Sequence, residues 1–213
     1  MATAPQEHIA GYTQFLEAFE DAIVRAPKST AGVSIALIDI DQFGQINEAH
    51  GQDYGDAVIA LLAAALADSI ADNGQVFRYG GDAFMVLFEN IEKEQAFLHI
   101  EEARKSFDAP HSVTVSGKKR SIEVSISCGV TAYPDDAAKP NEVIRKCSEA
   151  LYRAKISGRN KVSLAREEKM VTKTTHYTTG QLDGLQRLAK REGLNEATLL
   201  REALDDILRK YNS

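Results

Sequence analysis

Cysteine is scarce in this sequence: Cys128 and Cys147 are the two thiols among 213 residues. Their spacing matches no metal motif, and the surrounding patterns predict two reduced, buried side chains. Long apolar runs are lacking too. The stretch 58–67 is apolar, but Asp56 and Asp68 flank it, and it falls short of the roughly 18 residues a membrane span needs. The opening MATAPQEHIA has no basic region followed by an apolar core, so no secretory signal is expected. Together these absences predict a cytoplasmic chain with no membrane partner. Excess positive charge is missing as well: the net charge is −6, which argues against nonspecific nucleic-acid binding by the chain as a whole. Residues 169–213 carry eight basic and six acidic side chains, a balance of +2 that leaves −8 for residues 1–168. That asymmetry predicts two modules, at 1–165 and 171–213, joined by a charged linker at 166–170. A hydrophobic fraction of 44% and a charged fraction of 26% are ordinary for globular domains.

What is present centres on Arg78-Tyr79-Gly80-Gly81-Asp82-Ala83-Phe84. Two β-prone segments flank paired glycines, which predicts a hairpin turning at Gly80-Gly81, with Asp82 at its rim. Upstream, Ser34 to Ile40 is a short apolar strand ending in Asp39-Ile40-Asp41. An open α/β sheet binds ligands at such a strand end. If strand and hairpin are neighbours, Asp39 and Asp82 converge on one cation, and Mg²⁺ favours one or two protein carboxylates plus substrate phosphates. Helices are expected at 6–26, 42–49, 54–71, 91–107 and 140–157, where apolar residues recur at helical spacing. Strands are expected at 33–40 and 161–164, with a second hairpin from 112–117 and 120–130 around Gly117-Lys118.

The run Asp39 to Asp56, the turn Arg78 to Phe84, the strand Val124 to Val130 and the segment Glu149 to Asn160 (EALYRAKISGRN) resemble, in order, the motifs of the GGDEF family. Those domains condense two GTP molecules into cyclic di-GMP. The resemblance implies an α/β (α+β) nucleotide-cyclase-like fold with a mostly antiparallel central sheet. It further implies that Asp39, the Ile40 backbone and Asp82 hold Mg²⁺ on the triphosphate, Asp39 and Asp82 being the catalytic carboxylates. Asn47 and Asp56 would bond the guanine edge, Phe43 would line the pocket, Gly80 and Gly81 would form the turn beside the phosphates, and Lys155 and Arg159 would contact them.

Three departures bear on activity. Ala83 stands where the family has a glutamate used in metal binding and catalysis. Gly44 stands where a lysine commonly reaches the phosphates. Residues 71–74 (ADNG) lack the R-x-x-D of product inhibition. Losing a carboxylate and a cation implies weak or absent cyclase chemistry.

The tail reads as an alternating stretch (171–177) and two amphipathic helices, 179–191 and 196–210, with Gly193 as a helix stop and Asn195 as an N-cap. It resembles a ribbon–helix–helix domain, through Leu185 to Leu194 and Leu199 to Leu204. So small a unit is expected to dimerise to complete a core. The resemblance implies a homodimer whose paired strands read DNA through Thr172, Thr174 and His176, with Asn195 at a phosphate-facing helix start. The expectation is a dimeric DNA-binding transcriptional regulator with a guanine nucleotide, GTP or cyclic di-GMP, in a degenerate site. The alternative is an active diguanylate cyclase dimerised by its tail.

Overall fold

A computed structural model describes residues 9–26, 32–165, 175–192 and 195–211. The chain divides into two compact units, Met1–Glu167 and Glu168–Ser213.

In the first unit the elements run α1 (Tyr12–Arg25), β1 (Val33–Ile40), α2 (Phe43–His50), α3 (Gln52–Ile70), β2 (Gln75–Gly80), β3 (Ala83–Glu89) and α4 (Lys93–Phe107). There follow β4 (His111–Val115), β5 (Lys118–Ile122), β6 (Ile126–Tyr133), α5 (Pro140–Ile156) and β7 (Val162–Leu164). The central sheet has the order β2-β3-β1-β6-β7. Its first three pairings are antiparallel and the last, β6 with β7, is parallel. β1 is the middle strand and is almost wholly buried, as its apolar sequence demands.

Strand alternation divides the core into two layers. Ala36, Ile38 and Ile40 of β1, with Phe84, Val86 and Phe88 of β3, face a cluster that includes Val58, Leu62 and Leu66 of α3 and Ile100 and Phe107 of α4. Val33, Ile35 and Leu37, with Ala83, Met85 and Leu87, face Phe15 and Phe19 of α1 and Val143, Cys147 and Leu151 of α5. The odd-numbered face of β1 is thus the one α5 covers, and Asp39 is its next member. On α5 the buried stripe advances four residues at a time, 143, 147, 151, and Lys155 is the next step. Two periodicities, two and nearly four, therefore deliver Asp39 and Lys155 to the same end of the same layer.

Three differences from the sequence reading have a visible structural cause. α1 starts at Tyr12, because Ala10 accepts a backbone hydrogen bond from Arg78 N (2.7 Å) and Gly11 bridges Arg78 in parallel. Those residues run extended along β2 and cannot be helical. The signature turn falls at Gly81-Asp82 rather than Gly80-Gly81. The β2–β3 register slips between Arg78 and Gly80, and Gly80 pairs with Ala83. The slip leaves Tyr79 as the extra residue of a bulge and moves the turn on by one.

The second hairpin is β4–β5 alone, turning at Ser116-Gly117 (φ 50° and 76°), the positive pair that a two-residue turn prefers. β6 leaves that hairpin and pairs with β1 instead. The reason is burial: β6 is buried along seven of its eight residues, whereas β5 (KKRSI) is exposed until Ile122.

The second unit holds α6 (Thr179–Glu192) and α7 (Glu196–Tyr211). Thr178 and Gln181 form a reciprocal cap: Gln181 N donates to Thr178 Oγ1 (3.3 Å) and Thr178 N donates to Gln181 Oε1 (3.0 Å), which satisfies two donors at the start of α6. Residues 175–178 have no regular structure, and His176 is exposed there. Thr172, Thr174 and Gly193 lie outside the described residues. Asn195 is exposed just before α7.

Candidate nucleotide site

The rim at the C-terminal end of β1 gathers most of the residues singled out in the sequence. Asp39 is directly opposite Ala83 of β3 in the antiparallel register, and Asp82 precedes Ala83 in the turn. Lys155 Nζ lies 2.6 Å from Asp39 Oδ1. Burial raises the Asp39 carboxyl above its ordinary value, the Lys155 ammonium draws it back down, and the charges of Asp82 and Asp41 push it up. Asp39 and Asp82 are thus near enough to sense each other, and Lys155 is the local counter-charge.

Arg78 fastens the turn. Its guanidinium donates to the Gly81 carbonyl and stacks over the Phe84 ring, 5.1 Å from the centroid, which favours a cation over an aromatic face. Sequence reasoning did not single out Arg78. Its pairing with Phe84 in the β2–β3 register, which no local pattern marks, puts it there.

α2 and α3 present the second group. Asn47 stands on α2 and Asp56, exposed, on α3. Gly55 is where the two helices meet: a Cβ there would lie 1.9 Å from Asn47 Oδ1 and 3.0 Å from Phe43 Cζ. The missing side chain is what lets Asn47 and Phe43 sit against α3. Asn47 Oδ1 is buried and has no hydrogen-bond partner, so an acceptor is held ready beside Phe43. Arg159 is exposed, in the loop that follows α5.

Asp41 behaves differently from Asp39. The sequence reading put both carboxylates at the rim, but Asp41 is 7% exposed and turns inward. Its oxygens accept from Ser125 Oγ (2.7 Å), Ser127 Oγ (2.6 Å) and Asn160 N (3.0 Å). Ser125 and Ser127 reach Asp41 through the β1–β6 pairing, and no pattern near Asp41 marks them.

The donors fit a magnesium ion. Two carboxylates and a main-chain carbonyl, at Asp39, Asp82 and Ile40, are hard oxygen ligands, and such a set leaves room for phosphate and water. Among the described residues no cluster of three or more His, Cys, Asp or Glu side chains forms a metal cage. Clefts of about 800 Å³ and 680 Å³ lie elsewhere, one between the α2–α3 junction and β4–β5, the other beside β7.

An α/β sheet with this strand order and an acidic, lysine-countered rim is the architecture of nucleotide-cyclase-like domains. Residues 8–161 match the family model described as diguanylate cyclase, GGDEF domain, and the chain belongs to the GGDEF family. It is 35% identical over 134 residues to diguanylate cyclase A of Treponema denticola, covering 63% of this chain and 35% of that one. It is 34% identical over 143 residues to the response regulator PleD of Caulobacter vibrioides, covering 67% and 31%. The chain spans about a third of the length of these curated relatives. Among solved structures, the active GGEEF domain of a diguanylate cyclase from Vibrio cholerae aligns with a TM-score of 0.67 at 28% identity, over 76% of this chain and all of that one. The GGDEF domain of PA1120 from Pseudomonas aeruginosa aligns with a TM-score of 0.70 at 25% identity, over 75% and 98%. No described helix is long and apolar enough to cross a membrane.

Proposed function

We propose that this protein binds a guanine nucleotide, GTP or cyclic di-GMP, in a GGDEF site with little or no cyclase activity. The tail would form a ribbon–helix–helix homodimer that binds DNA as a transcriptional regulator. The observation that carries the reading is the cross-strand pair Asp39–Ala83. The position facing the candidate metal carboxylate holds a methyl group where relatives of this family have a third carboxylate.

In this reading Asn47 and Asp56 hold the base edge, Phe43 lines it, and Gly80 and Gly81 let the turn approach the phosphates. Lys155 and Arg159 neutralise the phosphates, and Asp39, the Ile40 carbonyl and Asp82 hold Mg²⁺. The ion, when bound, offsets charge on the triphosphate. Lys155 would release Asp39 as the phosphates arrive, because a multiply charged anion competes for the same ammonium. In the tail, Thr172, Thr174 and His176 face base edges, and Asn195 opens a helix toward a phosphate. Coupling between the two modules requires the nucleotide to bind the two DNA-affinity states differently.

Incubation of the purified protein with GTP and Mg²⁺, followed by chromatography of bound and free nucleotide, tests the proposal. Unchanged GTP that travels with the protein is the expected result, and it disappears in Asn47→Ala/Asp56→Ala. No bound nucleotide in the unmodified protein would overturn the pocket. Accumulating cyclic di-GMP would establish the second reading, an active cyclase dimerised by its tail. That reading is favoured by the pairing of Asp39, Asp82 and Lys155 at one rim and by likeness to proteins named diguanylate cyclases. DNA binding then separates a regulator from a simple dimeriser, since phosphate contacts make affinity fall steeply with salt.

A further inference from the structure

The loop that follows α5 is held in an unusual conformation. Gly158, Arg159 and Asn160 have φ of 109°, 60° and 47°, three consecutive residues in a region that side-chain-bearing residues rarely enter. Arg159 N donates to Ala154 O (3.0 Å), which wraps the loop back over the helix end, and Cys128 N donates to Lys161 O (2.9 Å) where β7 begins. Between these two anchors, Asn160 N donates to the buried Asp41 carboxylate (3.0 Å). Asp41 is fixed from its other side by Ser125 and Ser127, and its own N–H donates to Ser125 O (2.9 Å). The Asn160 side chain completes an outer brace. Its Oδ1 accepts from Arg104 Nη1 (2.5 Å) and its Nδ2 donates to Asp108 Oδ1 (2.9 Å). Arg104 itself is locked to Glu101 by two bonds of 2.8 Å.

We infer that Asp41 is a positioning residue, which ties the loop bearing Arg159 to the strand end bearing Asp39. It thereby sets the cationic side of the phosphate site against its acidic side. The inference rests on the nucleotide reading given above. A buried carboxylate is costly unless its acceptors are used, and here the donors come from the strand beside β1 and from the Arg159 loop. Asp41 is two residues from Asp39, and Asn160 is next to Arg159, so one buried group fixes both sides at once. Asn47 and Asp56 stand on α2 and α3, and among the described residues no hydrogen bond joins their side chains to this network.

That separation supplies the test. Affinities for GTP and for guanosine are measured at fixed Mg²⁺ in the unmodified protein, in Asp41→Asn and in Asn160→Ala. Asp41→Asn keeps one acceptor oxygen but removes the negative charge that strengthens the bond from Asn160 N, so the loop tie weakens. Charge-assisted hydrogen bonds are the strong ones, and a loss of about tenfold in GTP affinity is expected, with guanosine affinity kept within about twofold. Asn160→Ala removes the outer brace and adds strain at the φ of 47° but leaves the serine donors to Asp41, so it loosens the same loop, gives a loss of the same selectivity and carries the test if Asp41→Asn does not fold. Equal losses for both ligands, or no loss for GTP, overturn the positioning role while the nucleotide site stands. Failure of the unmodified protein to bind either ligand overturns the nucleotide reading, and this inference with it.

Discussion

At the scale of single residues, the site is defined as much by two small side chains as by its charged ones. Ala83 is 8% exposed and faces Asp39 across the strand pair. Ala83→Glu puts a third carboxylate beside Asp39 and Asp82. Like charges opposed across strands destabilise, so the variant is expected to lose about 1 kcal/mol of stability without Mg²⁺ and recover it when Mg²⁺ is added, as thermal melting reads. If the unmodified protein is silent, the same variant should begin to form cyclic di-GMP from GTP. An increase that is only modest over an already active protein would point to the cyclase reading. Gly44 offers the complementary change. A Cβ there meets nothing within 4 Å, so Gly44→Lys is sterically free. Gly44 is in the first turn of α2, where the propensity gain over glycine is offset by a cation placed against the helix dipole, so stability should change little while GTP binding tightens through the added cation. A weaker GTP affinity would show that the phosphates lie elsewhere.

At the scale of elements, the close approach of α5 to β6 holds the charged rim in place. A Cβ on Gly129 would lie 2.3 Å from Cys147 O and 2.4 Å from Leu151 N, both backbone atoms that cannot rotate away. Gly129→Ala must push α5 off the sheet. A cost of about 3 kcal/mol is expected, visible in the denaturation midpoint, and Lys155 should lose its hold on Asp39.

The two thiols report on the two layers separately, since Cys128 belongs to the α3–α4 layer and Cys147 to the α1–α5 layer. Burial drives both thiols up, Cys147 from 9.0 to about 12. A raised thiol keeps its proton in the folded state while the unfolded chain ionises. Stability from this source is therefore complete below pH 9 and lost between pH 9 and about 12. Neither thiol should react with a disulfide reagent at pH 8 until the protein unfolds. Fast reaction of the native protein would show that a layer opens. β1 was legible to the residue, because an apolar run closed by Asp-Ile-Asp has one reading. The motifs point to Asp39, Asp82 and Lys155, and the structure sets Lys155 on Asp39 with the Asp82 charge nearby. The turn at Gly81-Asp82 was not, since a bulge at Tyr79 leaves no local mark. Nor was the inward turn of Asp41, which depends on serines more than eighty residues away.

At the scale of the whole molecule, the two units differ in how completely each buries its own apolar surface. The first unit encloses two core layers. In the second, Leu182, Leu188, Leu204, Ile207, Leu208 and Tyr211 remain 36–76% exposed. Apolar residues spaced along two short helices with so little burial are the pattern of a unit that finishes its core with a partner. A second copy is the occupant we propose, and it follows that the full chain should sediment as a dimer. Placing a charge on that surface by Leu204→Lys together with Ile207→Lys should convert it to monomer, because burying unpaired ammonium groups costs far more than the lost apolar contact. The folded first unit should be unaffected, so GTP binding serves as the internal control. If DNA binding also vanishes while GTP affinity holds, the proposed DNA-reading ribbon depends on dimerisation. DNA binding that survives in a verified monomer would mean that the tail engages DNA without pairing, and the ribbon–helix–helix reading would have to be given up.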